Sequence, residues 1–213
     1  MTTVNQWYVF NDPIDKKLCD DIRGLVPGQQ HYGKSSVDVS EGITEEERKS
    51  HKAGEFATDK KVRVSDVAWT SEQWVYDLIW PYMKTANDKS GWKYDITSAE
   101  AMQITRYKKG GFYTWHRDGN HDHISVMKHP GNKFVDGKVR KLSMTVLLND
   151  NFEGGEFEMM YYNKGKSTIH KPFTDPEAGQ IIVFPSCEEH RVKPVKRGVR
   201  HSLVVWFLGP PMK

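Results

Sequence analysis

From about residue 97 onward, the sequence is a series of short strand-like runs with no helical pattern between them. Each run is bounded by Gly, Asn, Asp or Pro, the residues that favour turns. The runs are Glu100–Tyr107, Phe112–Arg117, Lys141–Leu148, Glu156–Tyr162, Gln180–Phe184, Glu189–Lys193 and Arg200–Leu208. Because helical patterns come first and strands then follow in one block, the sequence predicts a mainly β fold, an antiparallel sandwich or jelly roll flanked by helices.

The segment before residue 97 is predicted to support that β-core. Trp7–Phe10 is typical of a short strand, and apolar residues recur at helical spacing over Ile14–Leu25 and Ser71–Asn87. Residues 26–61 are polar and rich in Gly, Ser, Lys and Glu. This composition predicts a long surface excursion with one helical patch at Thr44–Lys52.

A chain of 213 residues suits one domain, so we expect a single unit over 1–213, with support and excursion at 1–96 and the β-core at 97–210. The net charge is only +3 and the lysines are dispersed, which argues against a nucleic-acid partner. No run of about 18 apolar residues and no signal-peptide pattern occurs, so we expect no membrane association and a cytoplasmic location. Cys19 and Cys187 match no metal or disulfide pattern and are interpreted as packed thiols.

One predicted strand carries two side chains that can bind a metal. His116 and Asp118 are two residues apart, and residues at that spacing on a strand point to the same face. The pair alone is weak, because a chain with this many His and Asp residues contains about 0.6 such pairs by chance. A third ligand is therefore needed before a metal site can be predicted.

The C-terminal segment supplies a candidate third ligand, His190, and a basic residue ten positions later, Arg200. The run Pro194–Gly198 resembles the turn of a hairpin that joins two strands. Counting outward from a tip near Val195, we expect His190 and Arg200 to be cross-strand neighbours about 5 Å apart. Arg200 would then lie beside the metal, although Arg200 taken alone also fits a salt-bridge residue.

Non-heme iron(II) oxygenases bind their metal with two imidazoles and one carboxylate, and this ligand set leaves three coordination positions open. A structural zinc site would instead be filled by four protein ligands. Arginine can bind a distal carboxylate of 2-oxoglutarate through two parallel hydrogen bonds. Ser202 and Tyr107 are candidates for additional hydroxyl donors.

At this point the sequence resembles the prolyl-4-hydroxylase-like branch of the iron(II)/2-oxoglutarate oxygenases. The shared features are Tyr107-x-x-Gly110-x-x-Tyr113-x-x-His116-x-Asp118, Gly154-Gly155-Glu156-Phe157, Phe184-Pro185, His190 and Arg200. The resemblance implies a double-stranded β-helix of jelly-roll, cupin-like form. It implies iron held by His116, Asp118 and His190, with the oxoacid bound by Arg200 and Tyr107 and with Gln103 in the pocket wall.

The resemblance also implies a reaction: oxidative decarboxylation of 2-oxoglutarate by O2, coupled to hydroxylation of a C–H bond, with ascorbate as a further candidate cofactor. The expected target is a prolyl residue in a protein or peptide, and a free amino acid or other small metabolite is the alternative. Tyr113 and Trp206 are the candidate substrate contacts. Gly119–Val139 is polar, follows the ligand pair and is the candidate for a mobile lid over the substrate.

Two departures from the family pattern bear on the substrate. Collagen-type prolyl hydroxylases have lysine at the oxoacid position, whereas oxygen-sensing and bacterial relatives have arginine, as at Arg200. The aliphatic run Val146-Leu147-Leu148 replaces tyrosines of the oxygen-sensing relatives. A substrate like that of the oxygen sensors is therefore not implied.

Other interpretations of these residues are weaker. A cupin-type metal-binding lectin or isomerase could keep the histidines but has no need for a buried arginine. His116-Arg117-Asp118 is also the kinase catalytic triplet, but the downstream asparagine, the Gly-rich loop and an Asp-Phe-Gly segment are missing. His121-Asp122-His123 is a rival ligand cluster in a polar loop, where solvated side chains are the usual explanation.

Overall fold

Two antiparallel sheets face each other, and two helices cover the outer side of the larger one. The computed structural model describes residues 5–10, 12–26, 28–35, 37–38, 56–57, 60–119 and 126–212. The helices in these residues are α1 at Lys16–Gly24 and α2 at Gln73–Lys89. The strands are β1 Tyr8–Phe10, β2 Gly33–Lys34, β3 Val37–Asp38, β4 Phe56–Ala57, β5 Arg63–Val64, β6 Asp66–Thr70, β7 Ser98–Ala99, β8 Met102–Tyr107, β9 Phe112–His116, β10 Val139–Leu147, β11 Phe152–Gly154, β12 Phe157–Asn163, β13 Lys166–His170, β14 Ile181–Pro185, β15 His190–Val192, β16 Val195–Gly198 and β17 Arg200–Gly209.

The larger sheet has the strand order β1-β14-β10-β17-β8-β6-β2, and β7 also pairs with β17. The smaller sheet has the order β13-β12-β15-β9-β5. Two short pairs, β11 with β16 and β3 with β4, complete the pairing in the described residues. All pairings are antiparallel, so the predicted flanked jelly roll is confirmed.

Alternation along β17 divides its side chains between two environments. Leu203, Val205 and Phe207 are fully buried in the cluster that includes the helices. Arg200 and Ser202, at the intervening positions, turn towards the space between the two sheets. The same alternation occurs on β8 and β10, so one face of the large sheet forms the hydrophobic core and the other forms a pocket wall.

The helices attach through the apolar stripes that the sequence indicates. Helix α1 begins after Asp15, whose side chain accepts a hydrogen bond from the Lys17 backbone N–H, and it buries Cys19 and Ile22. Helix α2 continues through Pro81, which lies on its exposed side. Both helices are therefore held by packing on the large sheet. Within the described residues, no helix is long and apolar enough to cross a lipid bilayer.

The predicted hairpin at Pro194–Gly198 is wrong. Those residues form β16, which pairs with β11, and the chain then crosses to the opposite sheet. His190 pairs with His116 and Met159 in the small sheet, whereas Arg200 pairs with Tyr107 in the large sheet. The two residues are thus not cross-strand neighbours, because β15 belongs to the small sheet and β17 to the large one.

Several features lie outside the predicted elements. Strands β5, β6 and β13 were not predicted, because β5 and β6 follow the polar excursion directly and β13 is exposed throughout.

The helical patch Thr44–Lys52 lies outside the described residues. Of the candidate lid Gly119–Val139, residues 120–125 are also outside them, while backbone hydrogen bonds join Met127 to Lys138 and to Gly137. Mobility of the lid stays a prediction.

Asp66 at the start of β6 forms the centre of a buried ion cluster. Its carboxylate is 9% exposed and lies 2.7 Å from Lys34 Nζ, 3.0 Å from Arg106 Nη2 and 3.3 Å from Lys108 Nζ. Burial raises the pKa of Asp66, but the three hydrogen-bonded cations outweigh burial and lower the pKa to about 2. A lowered pKa stabilises the fold at neutral pH, and this contribution is lost as the pH falls towards 2.

We expect Asp66→Asn to lower the free energy of unfolding by about 2 kcal/mol at pH 7, since it removes a buried carboxylate that pairs with three cations, of which Arg106 is itself largely buried. Urea unfolding at pH 7 and at steps below pH 4 measures this, and the deficit should shrink as the wild type loses the same charge. Asp88→Asn, which breaks an exposed pair with Lys93, is the control and should change stability little. Equal effects of the two substitutions would contradict the assignment.

Candidate metal centre and its cavity

Three side chains that can bind a metal converge between the sheets. His116 Nε2 lies 3.7 Å from Asp118 Oδ1, and His190 Nε2 lies 3.6 Å from Asp118 Oδ2. One possible ligand atom from each of the three residues lies within 4.8 Å of those of the other two. In the part of the chain that the structure describes, this is the one group of at least three His, Cys, Asp or Glu residues so arranged. The rival cluster His121-Asp122-His123 lies outside the described residues.

Strand pairing in the small sheet brings the two imidazoles together. His116 ends β9, His190 begins β15, and the two are directly paired. The register shifts between this pair and the next, Val192 with Tyr113. This bulge turns Tyr113 and His116 to the same side although they are three residues apart, and their rings stack with centroids 3.4 Å apart.

Backbone carbonyls set the orientation of both imidazoles. His116 Nδ1 is 2.8 Å from the Thr114 carbonyl oxygen, and His190 Nδ1 is 3.0 Å from that of Glu188. Because a carbonyl can only accept, each Nδ1 must donate and each Nε2 keeps a free lone pair. Burial and the nearby His190 hold the pKa of His116 well below its usual value. Each imidazole thus turns its Nε2 atom, which can bind a metal, towards Asp118.

Asp118 is held between the imidazoles by its own neighbours. Arg140 Nη1 donates to the Asp118 backbone carbonyl over 2.9 Å, and Arg140 also forms two hydrogen bonds to Glu100. Burial raises the pKa of Asp118, but His190, His116, Arg140 and a hydrogen bond from Ser143 together lower it. The carboxylate is therefore ionised, as a metal ligand must be.

Arg200 faces the same cavity from the opposite sheet and is 1% exposed. Its Nη1 donates to Ser202 Oγ over 3.1 Å, and its guanidinium lies 5.6 Å from the centre of the Tyr107 ring. No carboxylate among the described residues pairs with it, so it is not a salt-bridge residue of the described chain. Burial lowers the pKa of Arg200, yet a guanidinium starts high enough to stay charged. A buried, unpaired cation requires an anionic partner.

The cavity between the sheets measures about 390 Å³ with its mouth included. It collects every residue that the sequence singled out for the site: His116, Asp118, His190, Arg200, Tyr107, Ser202, Gln103, Tyr113 and Trp206. Gln103 and Ser202 reach it by the alternation of β8 and β17. The indole Nε1 of Trp206 is buried and has no hydrogen-bond partner in the described structure.

Sequence reasoning missed Arg63 and Arg140. Arg63 is buried, lines the cavity, donates to Ser65 Oγ and Gln103 Oε1, and stacks 4.6 Å from the centre of the Tyr113 ring. Arg140 stacks 4.2 Å from the centre of the Trp206 ring. Both residues thereby position predicted site residues. A lone arginine in an unassigned segment carries no local pattern that marks such a role.

Comparison with known proteins agrees with this arrangement. Residues 102–208, half of the chain, match the 2OG-Fe(II) oxygenase superfamily. A PKHD-type hydroxylase of Synechococcus sp. (strain CC9902) is 34% identical over 114 residues, which cover 53% of this chain and 43% of that protein. The PKHD-type hydroxylase YbiX of Shigella sonnei (strain Ss046) is 32% identical over 106 residues, 49% of this chain and 41% of that protein. The alignments thus span less than half of these relatives.

Solved structures share the fold. A Pseudomonas putida prolyl-4-hydroxylase superimposes with a TM-score of 0.63 at 18% identity, covering 95% of this chain and 92% of that one. A Trichoplax adhaerens prolyl hydroxylase, in complex with a peptide fragment of the hypoxia inducible factor oxygen degradation domain, gives a TM-score of 0.60 at 16% identity, with 97% and 87% covered. At these identities the likeness concerns the fold, the double-stranded β-helix. Together with the sequence match, it shows that the chain belongs to the 2OG-Fe(II) oxygenase superfamily.

Proposed function

We propose that the chain is an iron(II)- and 2-oxoglutarate-dependent dioxygenase in which His116, Asp118 and His190 hold the metal and Arg200 binds the distal carboxylate of the oxoacid. One observation carries the proposal. A fully buried guanidinium without a carboxylate partner in the described chain shares one cavity with a His–Asp–His cluster. An isomerase or lectin of cupin type accounts for the cluster but not for the buried cation.

The donor set fits iron(II). The cluster offers two imidazole nitrogens and one carboxylate, and such a ligand set leaves room for exogenous ligands. Iron bound there would supply O2 activation coupled to decarboxylation of the oxoacid. The protein orients the imidazoles through Thr114 and Glu188 and keeps Asp118 ionised.

The remaining polar residues of the cavity are proposed to hold the oxoacid. Arg200 offers a planar fork for the distal carboxylate, and Ser202 and Tyr107 lie next to it. Gln103 accepts hydrogen bonds from Arg63 and Thr105, which fix its position in the wall. The other walls of the cavity include the apolar side chains of Phe157, Val192 and Val204.

We infer a prolyl residue in a protein or peptide as the substrate, in contact with Tyr113 and Trp206. The half-buried Tyr113 stacks on His116, and Trp206 has an indole N–H without a protein partner in the described residues. The PKHD-type names of the relatives and the prolyl hydroxylase names of the structural neighbours support a hydroxylation reaction. A free amino acid is the alternative, and we expect ascorbate to sustain turnover in either case.

The experiment supplies iron(II), 2-oxoglutarate and O2 and measures succinate, with and without proline-containing peptides and free proline. A treated lysate is then searched by mass spectrometry for peptides that gain one oxygen atom. Stimulation by peptides supports the prolyl substrate, and stimulation by free proline alone favours the alternative. Absence of metal-dependent succinate under all conditions would refute the dioxygenase assignment.

Gly155 offers a test of the assigned role of Arg200. It has φ +63°, and a Cβ at this position would lie 3.0 Å from both Arg200 Cδ and Val195 Cγ2. We expect Gly155→Ala to displace the Arg200 side chain and to raise KM for 2-oxoglutarate about tenfold, with little change in iron affinity. Initial rates across oxoacid concentrations, together with iron titration, measure this.

Gly165→Ala is the matched control for Gly155→Ala. Gly165 has a similar left-handed φ of +76°, but an added Cβ would have no neighbour within 4 Å. Both variants therefore carry the same backbone cost, about 1–2 kcal/mol, and only Gly155→Ala touches Arg200. If KM for the oxoacid changes equally in the two variants, Gly155 does not position Arg200.

A further inference from the structure

Arg200 also lines a second cavity, which we call the rear chamber. Its other lining residues are Leu147, Phe152, Gly154, Gly155, Glu156, Phe157, Lys171, Phe173, Thr174 and Pro176. The rear chamber shares only Arg200 and Phe157 with the metal cavity. With its mouth included it measures about 710 Å³, against about 390 Å³ for the metal cavity. Without the open solvent at its mouth, the volume of the rear chamber is about 270 Å³, close to the lower end of the range for small-molecule sites.

The charged residues of the rear chamber, Glu156, Lys171 and Arg200, form no ion pair with one another. Glu156 Oε2 is buried and has no hydrogen-bond donor in the described structure. The nearby carboxylates in the chain do have partners: Glu153 pairs with Arg197, and Glu158 pairs with Arg191. A buried carboxylate oxygen without a donor is costly, so a ligand that brings a donor would be stabilised there.

Both signs of charge occur around the same space. Lys171 lines the rear chamber and forms no ion pair with the described residues, and Arg200 has no carboxylate partner there either. Arg200 is shared with the metal cavity, so the charged residues that belong to the rear chamber alone are one cation, the exposed Lys171, and one anion, Glu156. This residual pair complements a zwitterion, whereas a dicarboxylate would be repelled by Glu156.

The remaining walls are apolar. Leu147, Phe152, Phe157 and Phe173 provide aliphatic and aromatic surface. Gly155 leaves space at the Arg200 side of the rear chamber, because any Cβ at this position would contact Arg200. An apolar side chain on the ligand would be stabilised by burial against these walls.

We propose that the rear chamber binds a small zwitterion with an apolar side chain, of the chemical class of an α-amino acid. Its ammonium group donates to Glu156, its carboxylate faces Lys171, and its side chain packs on Phe152 and Phe173. The site is separate from the metal centre and requires no metal.

The test is calorimetric titration of the metal-free full chain with L-leucine, with 4-methylpentanoate, which lacks the ammonium group, and with L-leucinamide, which lacks the carboxylate. L-Leucine is expected to bind one molecule per chain and at least about tenfold more tightly than either analogue. Glu156→Gln should weaken L-leucine about tenfold and leave 4-methylpentanoate unchanged. Lys171→Gln should weaken L-leucine and 4-methylpentanoate but not L-leucinamide.

Glu153→Gln is the matched control, because Glu153 is exposed, lies three positions before Glu156 in the chain and is absent from the lining of the rear chamber. It should leave L-leucine binding unchanged. The proposal is overturned if L-alanine, L-leucine and L-phenylalanine all fail to bind up to about 10 mM, or if Glu156→Gln and Glu153→Gln have the same effect. Since no iron or oxoacid is present, this result is independent of the succinate measurement.

Discussion

Asp118→Ala should abolish iron binding and succinate formation together, with turnover reduced by at least about 10³-fold. Asp118 is the one anionic member of the cluster and lies within 3.7 Å of both imidazole Nε2 atoms. Without it, only the two imidazoles remain, and neither carries a negative charge that would balance the charge of the metal. Anaerobic titration with iron(II) measures the affinity, and succinate formation measures turnover.

Folding must be separated from metal binding in this variant. Asp88→Asn removes an exposed carboxylate far from the cavity lining and is the control for the loss of one negative charge. Thermal unfolding of the metal-free proteins shows whether Asp118→Ala still folds. If folded Asp118→Ala binds iron(II) as tightly as the wild type, the proposed ligand set is wrong.

Arg200→Ala is expected to raise KM for 2-oxoglutarate by about 10²- to 10³-fold while iron affinity persists. The guanidinium is 1% exposed and lacks a carboxylate partner among the described residues, so the oxoacid would be its counter-ion. Removing it leaves the oxoacid carboxylate buried without a cation. Steady-state rates at varied oxoacid concentration separate KM from kcat.

Two further substitutions sharpen this prediction. Arg200→Lys keeps the charge but loses the planar fork, so KM should fall between those of the wild type and Arg200→Ala. Arg200→Met keeps much of the side-chain volume without charge and should behave like Arg200→Ala. An unchanged KM in both uncharged variants would remove Arg200 from the oxoacid site.

Periodicity explains most of what was predictable about the site. Gln103 and Tyr107 on β8, and Ser202 and Trp206 on β17, occupy alternate positions that share one face of the large sheet, and all four line the cavity. Their convergence follows from the side-chain period of two in a strand. His116 and Asp118 are likewise brought together by their separation of two residues, although β9 ends at His116.

Local pattern was insufficient where the chain changes sheets. The segment Pro194–Gly198 has the composition of a turn, yet β16 pairs with β11 and sends Arg200 to the sheet opposite His190. Arg200 therefore reaches the cavity across the sandwich rather than along a hairpin. Local pattern also could not predict the bulge that places Tyr113 over His116, because a register shift depends on the partner strand.

Spacing along single segments was enough to predict a block of strands after the helical segments, the alternation that turns Gln103, Tyr107, Ser202 and Trp206 to one face, and the pairing of His116 with Asp118. Spacing could not show which sheet holds each strand, that Arg200 has no carboxylate partner among the described residues, or that Arg200 lines two cavities. Those features arise from contacts between residues distant in the chain, and packing of the two sheets, rather than any local propensity, sets them.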